Sequence, residues 1–122
     1  MAVAGARGRA GEALAAAFLE LRGFCLVERN LRLAGVEIDL LAREGDTQVL
    51  VEVKLRSRTD YGTATDAVDR GKRMRLLKAA RALEQAGARR VRVDVVAVEM
   101  GTEGAVVRHY RNAVLDSGGI GP

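Results

Sequence analysis

Two strand-length stretches, Val36–Arg43 and Gln48–Leu55, are separated only by Glu44-Gly45-Asp46-Thr47. A Gly-Asp pair between two such runs predicts an antiparallel hairpin with glycine at the first turn position. The register follows by counting back from the turn. Glu44 opposes Thr47, Leu41 opposes Leu50, Asp39 opposes Glu52 and Glu37 opposes Lys54. Strand alternation puts Val36, Ile38, Leu40 and Ala42 on one face of the first strand, and Glu37, Asp39 and Leu41 on the other. In the second strand Val49, Val51, Val53 and Leu55 share a face, opposite Leu50, Glu52 and Lys54. Directly opposed side chains have Cβ atoms about 5 Å apart. Two carboxylates at that spacing repel by roughly 3 kcal/mol at an effective dielectric of about 20.

A sheet that carries such a pair needs a counter-charge. A divalent cation supplies one, and magnesium is commonly held by one or two carboxylates together with phosphate oxygens and water. Lys54 reaches the same volume and is suited to holding a phosphate oxygen or orienting an attacking water. The same residues also fit a solvated sheet face, with Lys54 paired to Glu37 and offsetting Asp39 and Glu52.

The rest of the chain reads around this hairpin. Arg7–Arg22 has a helical apolar stripe of Ala10, Leu14, Ala17, Phe18 and Leu21, ended by Gly23. Glu12 falls almost opposite that stripe, where spacing alone makes it a solvent-facing residue. Phe24–Asn30 is a further strand, Asp66–Ala86 a second helix, Val91–Met100 a long strand, and Ala105–Arg111 a short strand candidate. The order α-β-β-β-α-β predicts an α/β fold with a mixed sheet flanked by helices. The strand after the second helix is placed parallel to its neighbour through a crossover. At 122 residues the chain fits one domain, taken as 1–116, with a glycine-rich tail at 117–122 expected to be flexible.

The second helix carries Arg70, Lys72, Arg73, Arg75, Lys78 and Arg81. Such a run suits phosphate contact as well as a solvated face. Lys72 shares the stripe of Leu76, Ala79, Ala80 and Leu83, so its root should point to the sheet. Gly71-Lys72 does not make a phosphate-binding loop, because Asp66 replaces the first glycine and Arg73 follows the lysine. The net charge of +4 and a pI near 9.8 permit nucleic-acid binding. Scarce aromatics (Phe18, Phe24, Tyr61 and Tyr110) remove the stacking platforms of a single-strand binder. One cysteine, Cys25, and one histidine, His109, exclude an internal disulfide and a Cys/His zinc site. Cys25 reads as a core residue, and His109 has no evident partner. No apolar run approaches the roughly 18 residues of a membrane helix, and no secretory signal is evident. A cytoplasmic location without membrane association is the expectation.

The combination of Gly11-Glu12, Val36-Glu37-Ile38-Asp39-Leu40-Leu41 and Val51-Glu52-Val53-Lys54 resembles the YraN family of bacterial proteins. The likeness runs from about Gly8 to Val98 and includes Ala67-Val68-Asp69, the basic second helix and Arg92-Val93-Asp94-Val95. It departs at Val36 and Leu50, where the family usually has a glycine and an aromatic. That family is similar to the PD-(D/E)XK nucleases and to archaeal Holliday-junction resolvases, whose restriction-endonuclease-like fold has a mixed sheet flanked by helices. The resemblance implies a magnesium- or manganese-dependent endonuclease acting on DNA, with branched or damaged DNA as candidate substrates. Asp39, Glu52 and Glu12 would be metal ligands, Lys54 the catalytic lysine, and Lys72, Arg73, Arg56 and Arg70 DNA contacts. A homodimer would suit cutting of two strands. A non-catalytic DNA-binding or adaptor domain, or a protein-interaction module, are the rival expectations.

Overall fold

The computed structural model describes residues 2–57 and 70–113. Seven elements follow in order: α1 (Ala2–Leu21), β1 (Cys25–Leu33), β2 (Val36–Glu44), β3 (Thr47–Ser57), α2 (Arg70–Gln85), β4 (Arg90–Gly101) and β5 (Gly104–Tyr110). They form the expected α/β architecture, with β5 completing a five-stranded sheet in the order β1-β2-β3-β4-β5. The β3–β4 pair is parallel and the other three pairs are antiparallel. The parallel pairing follows from α2, which carries the chain back along the sheet between β3 and β4.

Each face of the sheet is covered by one helix. α1 supplies Ala15, Ala16 and Leu19 to a cluster with Phe24, Leu40, Ala42, Val49, Val51, Val96 and Val98. α2 supplies Leu76, Leu77 and Ala79 to a second cluster with Leu31, Ile38, Leu41, Leu50, Val93 and Val95. Central strands buried on both faces read as continuous apolar runs, as Val93–Val98 does.

Several details differ from the sequence expectation. α1 starts at Ala2 rather than Arg7. Its buried face is not the Leu14–Phe18–Leu21 stripe: Leu21 is 88% exposed and Leu14 39% exposed. Small residues let a helix approach a sheet closely, so Gly11, Ala15, Ala16 and Leu19 form the inner face instead. A Cβ on Gly11 would lie 3.2 Å from Leu55 Cδ1, which measures how near α1 comes to β3. Cys25 is exposed at the start of the edge strand β1 rather than in the core. The described part of the second helix starts at Arg70. Its expected first turn at 66–69 and the tail at 117–122 lie outside the described residues.

The hairpin turn is as expected. Gly45 has φ 62°, and Glu44 pairs with Thr47 and Leu41 with Leu50. The ladder then stops at Leu40↔Val51, so Asp39 and Glu52 are not ladder partners and Glu37 does not oppose Lys54. Glu37 instead pairs with Arg32 of β1, and Lys54 with Ala97 of β4. The facing also changes there. Ile38 and Leu41 both join the α2 cluster while Leu40 joins the α1 cluster, so alternation breaks at Asp39. The opposite strand is irregular nearby, with a register shift between Leu26 and Glu28 and Asn30 at φ 52°. A strand bent at such irregularities no longer follows the simple two-residue period.

Candidate functional site

The split between β2 and β3 is where the site forms. Past Val51, the β3 backbone has lost its β2 partner, and a buried N–H must find another acceptor. Val53 N–H donates to Asp39 Oδ2 at 2.8 Å. The side chain thus replaces the missing ladder carbonyl and is fixed in the gap by the backbone.

Around it stand the groups that the sequence singled out. Asp39 carries a pKa raised to about 6. Burial is the largest cause, the Glu52 charge comes next, and Glu12 adds to it. The Val53 N–H and Lys72 act in the opposite direction. Glu12 was expected to face solvent. Because the inner face of α1 runs through residues 11, 15, 16 and 19, a residue one position after Gly11 and four before Ala16 is half-buried toward the sheet. Near-complete burial of Glu52, at 4% exposure, would be costly without a counter-charge. Two cations supply it: Lys72 Nζ at 2.5 Å and Lys54 Nζ at 3.6 Å from Glu52 Oε2. Burial pulls the Lys72 pKa down, but its hydrogen bond to Glu52 and the fields of Glu52 and Asp39 outweigh this and hold it above the usual lysine range.

Asp39, Glu52, Lys54, Lys72 and Glu12 therefore share one electrostatic neighbourhood. Among the described residues, no three His, Cys, Asp or Glu side chains converge closely enough to cage a metal ion. The donor set is instead two anchored carboxylates with a third nearby. It suits a hard, hydrated cation such as magnesium, which completes its shell with water and phosphate oxygens. Of the remaining expected contacts, Arg70 is exposed at the start of α2, and Arg73 and Arg56 are half-buried. Arg56 lies near the end of β3, opposite Glu99 of β4.

A second charged cluster, missed in the sequence, centres on β4, where Asp94 is the register partner of Val51 in β3. Asp94 of β4 is fully buried. It accepts from Arg92 Nε at 2.8 Å and Nη2 at 3.0 Å, from His109 Nε2 at 2.7 Å and from the Asn112 N–H at 2.8 Å. His109 in turn meets the rings of Phe18 and Phe24 edge-on. Glu44 extends the cluster to Arg92 at 3.0 Å and to Arg111 at 2.7 Å. The available signal was Asp94 itself, a carboxylate inside an otherwise apolar run two residues after an arginine.

Fold and site together define a mixed-sheet α/β protein with a buried carboxylate–lysine cluster where two strands part. Residues 11–98 match the model of the Uncharacterised protein family UPF0102, and the chain belongs to that family. It is 48% identical over 94 residues to a UPF0102 protein of Paenarthrobacter aurescens, covering 75% of this chain and 78% of that one. It is 43% identical over 120 residues to one of Methylococcus capsulatus, covering 93% and 98%. A relative from Dictyoglomus thermophilum is 32% identical over 103 residues, covering 82% and 87%. Among solved structures it is similar to Pyrococcus furiosus SfsA in complex with Ca2+, at 17% identity and a TM-score of 0.36, covering 86% of this chain and 62% of that one. No helix among the described residues is long and apolar enough to cross a membrane.

Proposed function

We propose that the protein is a magnesium- or manganese-dependent endonuclease that hydrolyses phosphodiester bonds in DNA. The observation that supports this best is Asp39, a carboxylate pinned by the Val53 N–H and raised to a pKa of about 6 by burial first and then by the charges of Glu52 and Glu12. Like charges brought together inside a fold, with lysines at hand, are typical of sites built to receive a cation and an anionic substrate.

Asp39 and Glu52 would hold the metal, with Glu12 joining directly or through water. The cation would neutralise charge on the phosphate under attack. Lys54 would orient the attacking water and bind a non-bridging phosphate oxygen. Lys72, paired with Glu52 at 2.5 Å, would turn its ammonium to the phosphate once the carboxylate has another cation to face. Arg73, Arg56 and Arg70 would hold the flanking backbone. Two copies acting together would suit branched substrates, in which two strands are cut.

The Lys72–Glu52 pair favours one alternative, a domain that binds DNA without cutting it, since the lysine already balances the glutamate. Incubation of supercoiled plasmid and four-way junctions with the purified protein and magnesium separates the two. Nicking or resolution is expected, and it should fall at least about 100-fold in Asp39→Asn and in Glu52→Gln. Cleavage that survives both substitutions refutes the assignment. DNA binding without metal-dependent cleavage selects the alternative.

A further inference from the structure

A cavity of about 260 Å³ opens beside this site, between the β1–β2 turn and the first two turns of α2. It is lined by Arg32, Gly35, Val36, Glu37, Lys72, Arg75 and Leu76. Lys72 belongs to both places, bordering the cavity while its ammonium contacts Glu52. The cavity therefore continues the carboxylate site rather than standing apart from it. Three cationic side chains face one carboxylate. That carboxylate, Glu37, lies 3.8 Å from Arg32 Nη2, and both side chains are largely exposed. Arg32 Nη1 also donates to the Gly35 carbonyl at 3.2 Å, which draws the guanidinium back over the turn and along the cavity wall.

Volume narrows the occupant. Pockets for cofactors and drug-sized ligands usually start near 300 Å³ and are lined mainly by apolar side chains. This one is smaller and mostly charged, with Val36 and Leu76 as its apolar wall. It holds the equivalent of about eight waters, enough for a phosphodiester group and part of a sugar. Guanidinium groups match phosphate oxygens in a bidentate fork, and two of the three cations are arginines.

We infer that this cavity is a subsite for the sugar–phosphate backbone of a DNA strand flanking the reacting phosphate, gripped by Arg32 and Arg75 and joined to the carboxylate site through Lys72. The inference rests on the endonuclease reading for its reacting phosphate, but the subsite itself needs no metal. The strand runs over the β1–β2 turn, past the first two turns of α2, and reaches Asp39 and Glu52 by way of Lys72. Arg32 and Arg75 thereby join the expected contacts in α2, and β1 gains a binding role.

The test is binding of a fluorescent 30-base-pair duplex by anisotropy in EDTA, across a salt series. Each phosphate neutralised adds about 0.9 to the slope of log affinity against log salt. The Arg32→Ala/Arg75→Ala double variant should bind at least about 10-fold more weakly and flatten that slope by about 2. Glu37→Gln should bind several-fold more tightly, a gain that damaged folding would not produce. Arg89→Ala/Arg90→Ala, at the opposite end of the sheet, should keep nearly the wild-type slope. Equal loss in the two double variants, or no gain in Glu37→Gln, overturns the subsite. The two readings fail separately. Binding that depends on Arg32 and Arg75 in a protein that never cuts DNA sustains the subsite and rejects the endonuclease. Cleavage lost in Asp39→Asn but unchanged in affinity and slope by Arg32→Ala/Arg75→Ala does the reverse.

Discussion

The sheet holds two aspartates in opposite electrostatic states, Asp94 fully buried and Asp39 half-buried. Asp94 is surrounded by donors: both oxygens are taken by Arg92, one also by His109 and the other by the Asn112 N–H. Burial alone would raise its pKa, but those bonds outweigh burial and hold it below the usual carboxylate range. Asp39 has one backbone donor, two acidic neighbours and a pKa of about 6. Burial therefore does not by itself fix the role of a carboxylate. Where every lone pair is matched, a buried carboxylate ties strands together. Where acids outnumber donors, the fold carries a standing electrostatic cost, which a ligand of opposite charge can relieve.

The largest expected effect tests the satisfied cluster. Asp94→Ala leaves Arg92, His109 and the Asn112 N–H without their acceptor in a buried setting. Breaking a buried pair from one side costs about 3–5 kcal/mol, a fall of roughly 10–20 °C in melting temperature for a domain of this size. Its pKa is depressed, so the stability Asp94 contributes is present above the unfolded value of 3.8 and is lost as pH falls through the lower folded value. Thermal melts of the variant and an acid titration of the wild type check both statements. A loss under about 1 kcal/mol would remove the contrast between the two aspartates.

The second effect has the opposite sign. The folded pKa of Asp39 lies above its unfolded value of 3.8. Between pH 3.8 and about 6 the native state holds a proton that the unfolded state has released, so stability declines as pH rises through that window. Above it the full cost is present. Asp39→Asn keeps an acceptor for Val53 N–H and removes the charge. In EDTA at pH 8 it should therefore be more stable than wild type, by on the order of 1–3 kcal/mol, and nearly equal at pH 4. Urea melts at the two pH values measure this. Magnesium should raise the wild-type melting temperature and leave that of Asp39→Asn unchanged. A variant less stable at pH 8 would show that the acidic cluster is not under strain.

One side of this contrast, the Asp39 cluster, was legible before folding. The Gly45-Asp46 turn set the hairpin register as far as Leu40↔Val51, and Asp39 and Glu52, each one residue further, stay close enough to interact. The stripe through Lys72, Leu76 and Ala79 correctly turned Lys72 to the sheet. The ladder break at Asp39 was not legible, because counting assumes an unbroken pleat, whereas the irregularities at Leu26–Glu28 and Asn30 are backbone properties with little trace in hydrophobicity. Glu12 was misplaced for a related reason: weighting by side-chain size favours Leu14 and Leu21, while the sheet accepts the smaller face of Gly11, Ala15 and Ala16. The Asp94–His109 pair joins residues 15 apart on two strands, and the short β5 gave too little pattern to fix its register.

The smallest expected effects are the finest test, because they substitute the same residue type in both clusters. Glu44 is held by Arg111 and Arg92, and the Arg111 hydrogen bond is the main reason its pKa lies below the usual range. Its side chain is a third exposed, so Glu44→Gln should cost only about 0.5 kcal/mol, and less in high salt. Glu12→Gln removes a like charge that raises the Asp39 pKa. It should leave stability unchanged or improve it by up to about 0.5 kcal/mol in EDTA, while weakening the stabilisation that magnesium gives. Paired denaturant melts, with and without magnesium, read both signs. If both variants lose stability and respond alike to the cation, Glu12 is a structural acid like Glu44, and the cation-accepting cluster is reduced to Asp39 and Glu52.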